Sequence, residues 1–276
     1  MKRDTFRMVV CVKQVPAGAQ AKIDPVTKTL IRSAGASILN PYDAFAVEAA
    51  LQIRDNLAAR KAQGAHITAL SMGVPNVETL LKDLAARGVD DSVLLTDRAF
   101  AGADTIDTSY TLSLGVRDIE QQSGPVSLVI CGHMAVDGDT AQIGPELAQT
   151  LDLPHVANVM RIEEVNPDGG YLVVSCIAAE GRQTLKVQLP ALITVSKDIN
   201  VPRLPSIAGI RRAETAEVRK LGASDVNADP DMIGLKGAAT KVVRTFTPDF
   251  GNSAERITGN AASCAEQVRA VLERIL

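Results

Sequence analysis

Residues 128–147 read LVICGHMAVDGDTAQIGPEL, and this stretch decides the fold. The apolar run Leu128–Cys131 predicts a buried strand that stops at Gly132. A short acidic loop follows, Asp137-Gly138-Asp139, and a helix is predicted to open at Thr140. In a strand, loop and helix start of this kind, free N–H groups and the positive end of the helix dipole converge on whatever fills the loop. Asp139 is positioned to cap the helix, with Gln142 three residues on as in a capping box. Two readings stay open on the loop alone: a nucleotide phosphate site, or only a well-capped helix.

Working outward, strand and helix signals alternate. Phe6–Val12 predicts a first strand. Residues 41–60 form a helix with Ala46, Ala49, Ala50, Ile53 and Leu57 on one face, Pro41 in its first turn. Ile67–Met72 and Ser92–Leu95 are further strands. Residues 75–87 are helical and end at Arg87-Gly88, 105–122 are helical behind Asp104 as cap, and Val126–Cys131 leads into a helix at 140–151. This alternation predicts an α/β, Rossmann-like, mostly parallel sheet with helices on both faces. Ligands in such sheets sit beyond the carboxyl ends of the strands, where the loops Lys13–Pro16, Met72–Pro75, Thr96–Asp104 and Gly132–Asp139 lie. Two β-hairpins are added, Ala21–Ile31 and residues 171–189 around Gly181, and Leu189–Val195 predicts one more buried strand.

After residue 196 the periodicity fades. Residues 222–250 read as polar and extended, punctuated by Pro230, Gly234, Gly237 and Pro248. They still carry Met232, Ile233, Leu235, Val242, Val243 and Phe246. Such a run is either a disordered tail or an arm laid on a partner, and its apolar groups, which need a surface to bury them, favour the arm. A helix over about 260–275, with Val268, Val271, Leu272 and Ile275 on one stripe, closes the chain.

Composition narrows the function. The chain has 276 residues, of which 46% are apolar, enough for a large α/β domain with an appendage. No apolar run approaches the ~20 residues of a membrane span. The start MKRDTFRMVVCVK reads as a strand rather than a signal peptide, so a cytoplasmic location is expected. The net charge is −3 and the 29 basic residues are scattered, which argues against nucleic acid. Cys11, Cys131, Cys176 and Cys264 form no C-x-x-C pair, and no metal site is expected. His66, His133 and His155 join no catalytic motif, so no catalytic acid, base or nucleophile is assigned. Aromatic residues are 3%, so backbone groups and aliphatic walls would hold any flavin or adenine ring.

Several segments taken together resemble the beta subunit of electron transfer flavoproteins over nearly the whole chain. They are Val10-Cys-Val-Lys-Gln-Val-Pro16, Asn40-Pro-Tyr-Asp43 with Ala46-Val-Glu-Ala-Ala50, Ser71-Met-Gly73, Gly132 to Gly144, Leu189-Pro-Ala-Leu-Ile-Thr194 and Asn200-Val-Pro-Arg203. The resemblance implies a heterodimer with an alpha subunit that binds one FAD. It implies electron transfer between flavin or nicotinamide enzymes and an acceptor. The beta site of ordinary members holds AMP; in the electron-bifurcating branch it holds a second FAD that takes hydride from NADH. Asp97-Arg-Ala-Phe-Ala-Gly-Ala-Asp-Thr105, followed by Thr108-Ser-Tyr110, resembles the bifurcating branch, as does Asp137-Gly-Asp-Thr-Ala-Gln142. FAD is therefore the expected cofactor and AMP the alternative. Ala101–Ala103 leave room for a dinucleotide, and Asp104 and Thr105 offer hydrogen bonds, although Asp104 reads equally as a helix cap.

By the same resemblance, the cofactor residues are Cys11, Asn40, Asp43, Met72, Asp104, Thr105, Thr108, Gly132, Asp137, Asp139, Thr140, Ala141, Gln142 and Ile143. Cys11 contributes backbone groups, Asn40 and Asp43 reach the adenosine sugar, and Thr140–Ile143 give N–H groups to phosphate. Tyr42 matches an aromatic position near the alpha subunit's flavin, or is a surface tyrosine. Ser196–Arg211 matches the loop that docks acyl-CoA dehydrogenases, with Ile199, Asn200, Pro202 and Arg203 as docking residues; Ile199 is the anchor, or a loop residue tucked against its own sheet. The implied division is a nucleotide-binding α/β domain over 1–221, then an arm and terminal helix over 222–276 packing on the alpha subunit. One departure stands out: His133-Met134 replaces the Arg or Lys followed by Gln of many relatives, which removes a fixed charge beside the loop. An ATP pyrophosphatase of similar architecture is disfavoured, because Lys13-Gln-Val-Pro16 stands where a Ser-Gly-Gly-x-Asp-Ser loop would be needed. A Rossmann dehydrogenase lacks its G-x-G-x-x-G, and a stand-alone nucleotide-binding module has no use for the arm.

Overall fold

The computed structural model describes residues 5–17, 37–243 and 256–275. In chain order the elements are β1 (Phe6–Cys11), β2 (Gln14–Pro16), β3 (Ser37–Leu39), α1 (Pro41–Ala59), β4 (Ala65–Met72), α2 (Val77–Arg87), β5 (Asp91–Leu95), α3 (Thr105–Ser123) and β6 (Leu128–Gly132). They continue with α4 (Ile143–Leu151), β7 (His155–Asn166), β8 (Tyr171–Ala178), β9 (Gly181–Gln188), β10 (Ala191–Val195), α5 (Ile207–Glu214), β11 (Val218–Leu221), α6 (Gly234–Gly237) and α7 (Ala261–Ile275). A 3-10 turn at Arg98–Phe100 precedes α3.

Nine strands form one sheet in the order β11-β5-β4-β1-β6-β10-β7-β8-β9. Pairing is parallel from β11 through β7, and β8 and β9 add antiparallel. The predicted fold class is the observed one. Alternation along β1 explains the layers: Phe6, Met8 and Val10 join the core beneath α1 and α2, while Val9 and Cys11 join the core beneath α3 and α4. Strands buried on both faces read as continuous apolar runs, which is why they were legible. Asp104 caps α3 by accepting from Ile106 N and Asp107 N at 3.0 and 3.2 Å. Gly88 ends α2 at φ +118°, the left-handed conformation that glycine adopts freely.

Several elements depart from expectation. α4 begins at Ile143, not Thr140, and its N-cap Gln142 makes no side-chain capping bond. Asp139 therefore caps nothing: it and Ala141 stand at φ +51° and +55°, so the chain unwinds through Thr140–Gln142 before the helix starts. β7 carries little period-2 signal because Asn158 at φ +56° and two register shifts against β8 turn its side chains out of alternation. α5 and β11 form a further crossover behind α2: Gly209 lies so close to Ala86 O that a side chain would not fit, and Arg212 donates to Ala85 O at 3.0 Å. β2 and β3 pair with each other, and the expected Ala21–Ile31 hairpin lies outside the described residues.

The chain divides into two compact units, one through Lys241 and one from Val242. Residues 222–241 are part of the first, with Val226 and Ile233 buried beneath α3. In the second unit, α7 has no buried residue, and Val268, Leu272 and Ile275 are exposed.

Candidate functional site

The chain runs from β1 outward to β4 and β5, then returns through α3 to β6 on the other side of β1. This is the topological switch point of the sheet, and in such sheets the crevice for a ligand lies here, between the loop after β1 and the loop after β6.

Asn40 and Asp43, at the start of α1, hold both sides of that crevice. Asn40 is buried; its Nδ2 donates to Met134 O at 2.9 Å and its Oδ1 accepts from Val136 N at 3.2 Å. Its own N–H donates to Lys13 O at 2.9 Å. Asp43 Oδ2 accepts from Lys13 N at 2.7 Å, and Gly132 N also donates to this carboxylate. Burial pushes the Asp43 carboxyl up to about 7, only partly offset by the bonds from Asn40, Lys13 and Gly132. The side chains expected to reach a ribose are thus spent on shaping the loops. Gly132 is the residue that permits this, since a Cβ there would overlap Asp43 Oδ1 and stand 2.7 Å from Tyr42 C. Tyr42 packs edge-on against His133, ring centroids 5.8 Å apart.

Beyond the loop, the main-chain N–H groups of Thr140, Ala141, Gln142 and Ile143 find no acceptor among the described residues. Asp139 and Ala141 are left-handed and lie directly ahead of the first residue of α4, at the positive end of its dipole. The four expected phosphate-binding residues are therefore together and unspent, although they precede the helix rather than form its first turn.

A cation joins the two loops, against expectation. Lys13 Nζ lies 2.8 Å from Asp137 Oδ1, joining the two sides of the crevice. Sequence reasoning missed Lys13 as a site residue; its position just past the first strand, at the carboxyl edge, was the available signal. Cys11 and Cys131 are register partners in β1 and β6, both buried at the floor on the α3 side. The bond from Cys11, together with burial, raises the Cys131 thiol well above its usual range. Met72 ends β4, partly buried in the same core.

The second cluster lies alongside. Thr105 Oγ1 donates to Glu146 Oε1 at 3.1 Å, and Ser109 Oγ donates to Glu146 Oε2 at 3.2 Å, so the starts of α3 and α4 are side by side. Thr108 lies one turn into α3, half-buried. Asp104, besides capping, accepts from Thr240 N at 2.9 Å and Thr240 Oγ1 at 3.1 Å. Burial raises its carboxyl, but these bonds outweigh it and hold it below its ordinary value. Asp107 beneath it is raised, by burial and then by the Asp104 charge.

The loop after β10 is fixed from within. Arg203 makes a two-pronged bond to the buried Glu48, Nε to Oε2 at 2.8 Å and Nη2 to Oε1 at 3.0 Å, and reaches Asp55 at 2.9 Å. Asn200 Nδ2 donates to Phe45 O at 3.0 Å. Ile199 packs against its own core and is no exposed anchor, because the loop folds back over α1. Pro202 is half-buried. The exposed apolar side chains here are Val201, Leu204 and Ile207.

Comparison with known proteins agrees with this architecture. A model described as "Electron transfer flavoprotein domain" matches residues 27–226. The chain is 42% identical over 271 residues to an electron transfer flavoprotein subunit beta of Thermoanaerobacterium thermosaccharolyticum, covering 98% of each chain. It is 39% identical to the caffeyl-CoA reductase-Etf complex subunit CarD of Acetobacterium woodii, covering 94% of each. It is 40% identical to protein FixA of Bradyrhizobium diazoefficiens, covering 87% of this chain and 82% of that one.

Proposed function

The chain belongs to the electron transfer flavoprotein family, and from that premise we propose that it is a beta-type subunit that binds an adenine nucleotide in the crevice between β1 and β6. One observation carries the reading: four adjacent N–H groups, Thr140 to Ile143, have no acceptor among the described residues and stand at the start of α4. A phosphate is the group such a cradle accepts.

FAD is the preferred occupant. The Glu146 bridge sets the starts of α3 and α4 against one corner, where a second phosphate could be held by Thr105, Thr108 and the α3 dipole. When bound, FAD supplies hydride and electron chemistry at its flavin ring, with NADH as donor in the bifurcating branch. The chain's part is to hold the nucleotide, and no side chain is assigned as acid or base. AMP is the second reading, favoured by Asp104, whose carboxylate is already committed to Ile106, Asp107 and Thr240.

The partner in this reading is an FAD-bearing alpha subunit, on which α7 packs. The exposed α7 stripe of Val268, Leu272 and Ile275 supports that assignment. An acyl-CoA dehydrogenase or similar flavin enzyme docks on the loop after β10 and the start of α5, where Val201, Leu204 and Ile207 are exposed. A cytoplasmic location follows from the same reading; among the described residues no helix is long and apolar enough to cross a membrane.

The test is co-purification with the alpha subunit, followed by denaturation and chromatography of released nucleotides. Two FAD per heterodimer supports the bifurcating reading. One FAD and one AMP supports the alternative, and no adenine nucleotide beyond the alpha subunit's own FAD defeats both.

A further inference from the structure

The Lys13–Asp137 ion pair crosses the mouth of the crevice, and its two ends are held by the same pair of residues. The Lys13 main chain is fixed at both groups, its N–H to Asp43 Oδ2 and its C=O from Asn40 N. The Asp137 loop is fixed by Asn40 through Met134 O and Val136 N, and by the Gly138 and Asp139 N–H groups on Ala135 O. The ammonium and carboxylate therefore meet at a built position, 2.8 Å apart, although 124 residues separate them. The Lys13 side chain is 41% exposed, so it keeps freedom to swing from this anchored base.

Two carboxylates, Asp137 and Asp139, sit in a loop whose next four N–H groups await an anion. Unless it is compensated, their charge opposes the anion the cradle favours. We propose that Asp137 is the resident counter-ion of Lys13 in the free chain, and that the phosphate of an adenine nucleotide displaces it and takes the ammonium. This inference rests on the nucleotide reading above and adds a residue that sets the affinity for phosphate. Exchange costs little because a partly exposed ion pair contributes little, and the incoming phosphate gains the Thr140–Ile143 N–H groups together with the ammonium.

The experiment uses the full chain with its alpha subunit, stripped of nucleotide, titrated calorimetrically with AMP and with adenosine. Lys13→Gln is expected to weaken AMP at least about tenfold and to leave adenosine unchanged. Asp137→Asn is expected to tighten AMP about two- to fivefold, with no change for adenosine and no tightening in a Lys13→Gln background. Lys13→Arg keeps most of the AMP affinity. Thermal melts check that each variant folds; Lys13 is 41% and Asp137 18% exposed at the side chain, and their main-chain bonds survive substitution. If wild type binds AMP but Asp137→Asn weakens it, or Lys13→Gln weakens adenosine as much as AMP, the exchange is overturned and the nucleotide reading stands. If wild type binds neither compound, the nucleotide reading itself falls, and this inference with it.

Discussion

Gly132, the last residue of β6, lies against Asp43 in the first turn of α1, and its N–H donates to the Asp43 carboxylate. The contact allows no side chain, because a Cβ at Gly132 would overlap Asp43 Oδ1 and press on main-chain atoms of residues 42 and 43. Gly132→Ala is therefore expected to destabilise the fold by about 2–3 kcal/mol, since α1 must move as a body to relieve the overlap. Urea unfolding checks this; a change below about 0.5 kcal/mol would contradict the packing described.

Asp43 makes stability depend on pH. Its carboxyl titrates at about 7 in the folded chain against an ordinary 3.8, because burial disfavours the charge. Between those values the folded state holds a proton that the unfolded state has released, so this contribution is complete below about pH 4 and is lost as pH rises through about 7. The loss is on the order of 4 kcal/mol. Asp43→Asn removes the slope: the stability of wild type minus that of the variant is expected to fall from pH 4 to pH 8. A difference that is flat, or that rises, would refute the assignment.

Arg203→Ala would leave Glu48 buried without its partner. The pair forms two side-chain bonds, and Glu48 also accepts from Arg203 N. Removing one member of such a pair costs about 3 kcal/mol. The loop over residues 196–206 is expected to become sensitive to protease, while the nucleotide affinity proposed for Thr140–Ile143 is expected to be unchanged.

Ala141 is held at φ +55°, which only glycine adopts without penalty. Ala141→Gly is expected to raise stability by about 0.5–1 kcal/mol without weakening nucleotide binding. Lower thermal stability in this variant would mean that the left-handed turn is not where the chain stores strain.

Asp104 joins α3 to the segment that follows β11, through Thr240. Asp104→Ala removes a helix cap and both Thr240 bonds, with an expected loss of about 1–3 kcal/mol. Hydrogen exchange is expected to rise in residues 229–241 as well as at the start of α3. Protection lost at α3 alone would limit Asp104 to capping.

The fold was legible because its central strands are buried on both faces and its helices bury one stripe each. Both patterns are local: Val9 and Val10 in β1, or Leu80, Leu81 and Leu84 in α2, announce themselves to any reader of period. β7 was illegible because bulges destroy its alternation, and β11 because an edge strand of four residues, Val218–Leu221, needs little apolar content. The unwound conformation of Thr140–Gln142 was illegible, since nothing local marks Ala141 as left-handed.

By itself, the sequence determined the layers, the strand and helix alternation, the family resemblance and the loops at which a ligand would sit. These depend on periodicity and on short motifs, which are properties of neighbouring residues. Only the tertiary structure decided what the polar groups do: Asn40 and Asp43 shape loops, Ile199 packs inward, and Lys13 meets Asp137 across the crevice. The physical reason is that a buried polar group must find a partner, and here the partner comes from a strand end distant along the chain but adjacent in a parallel sheet.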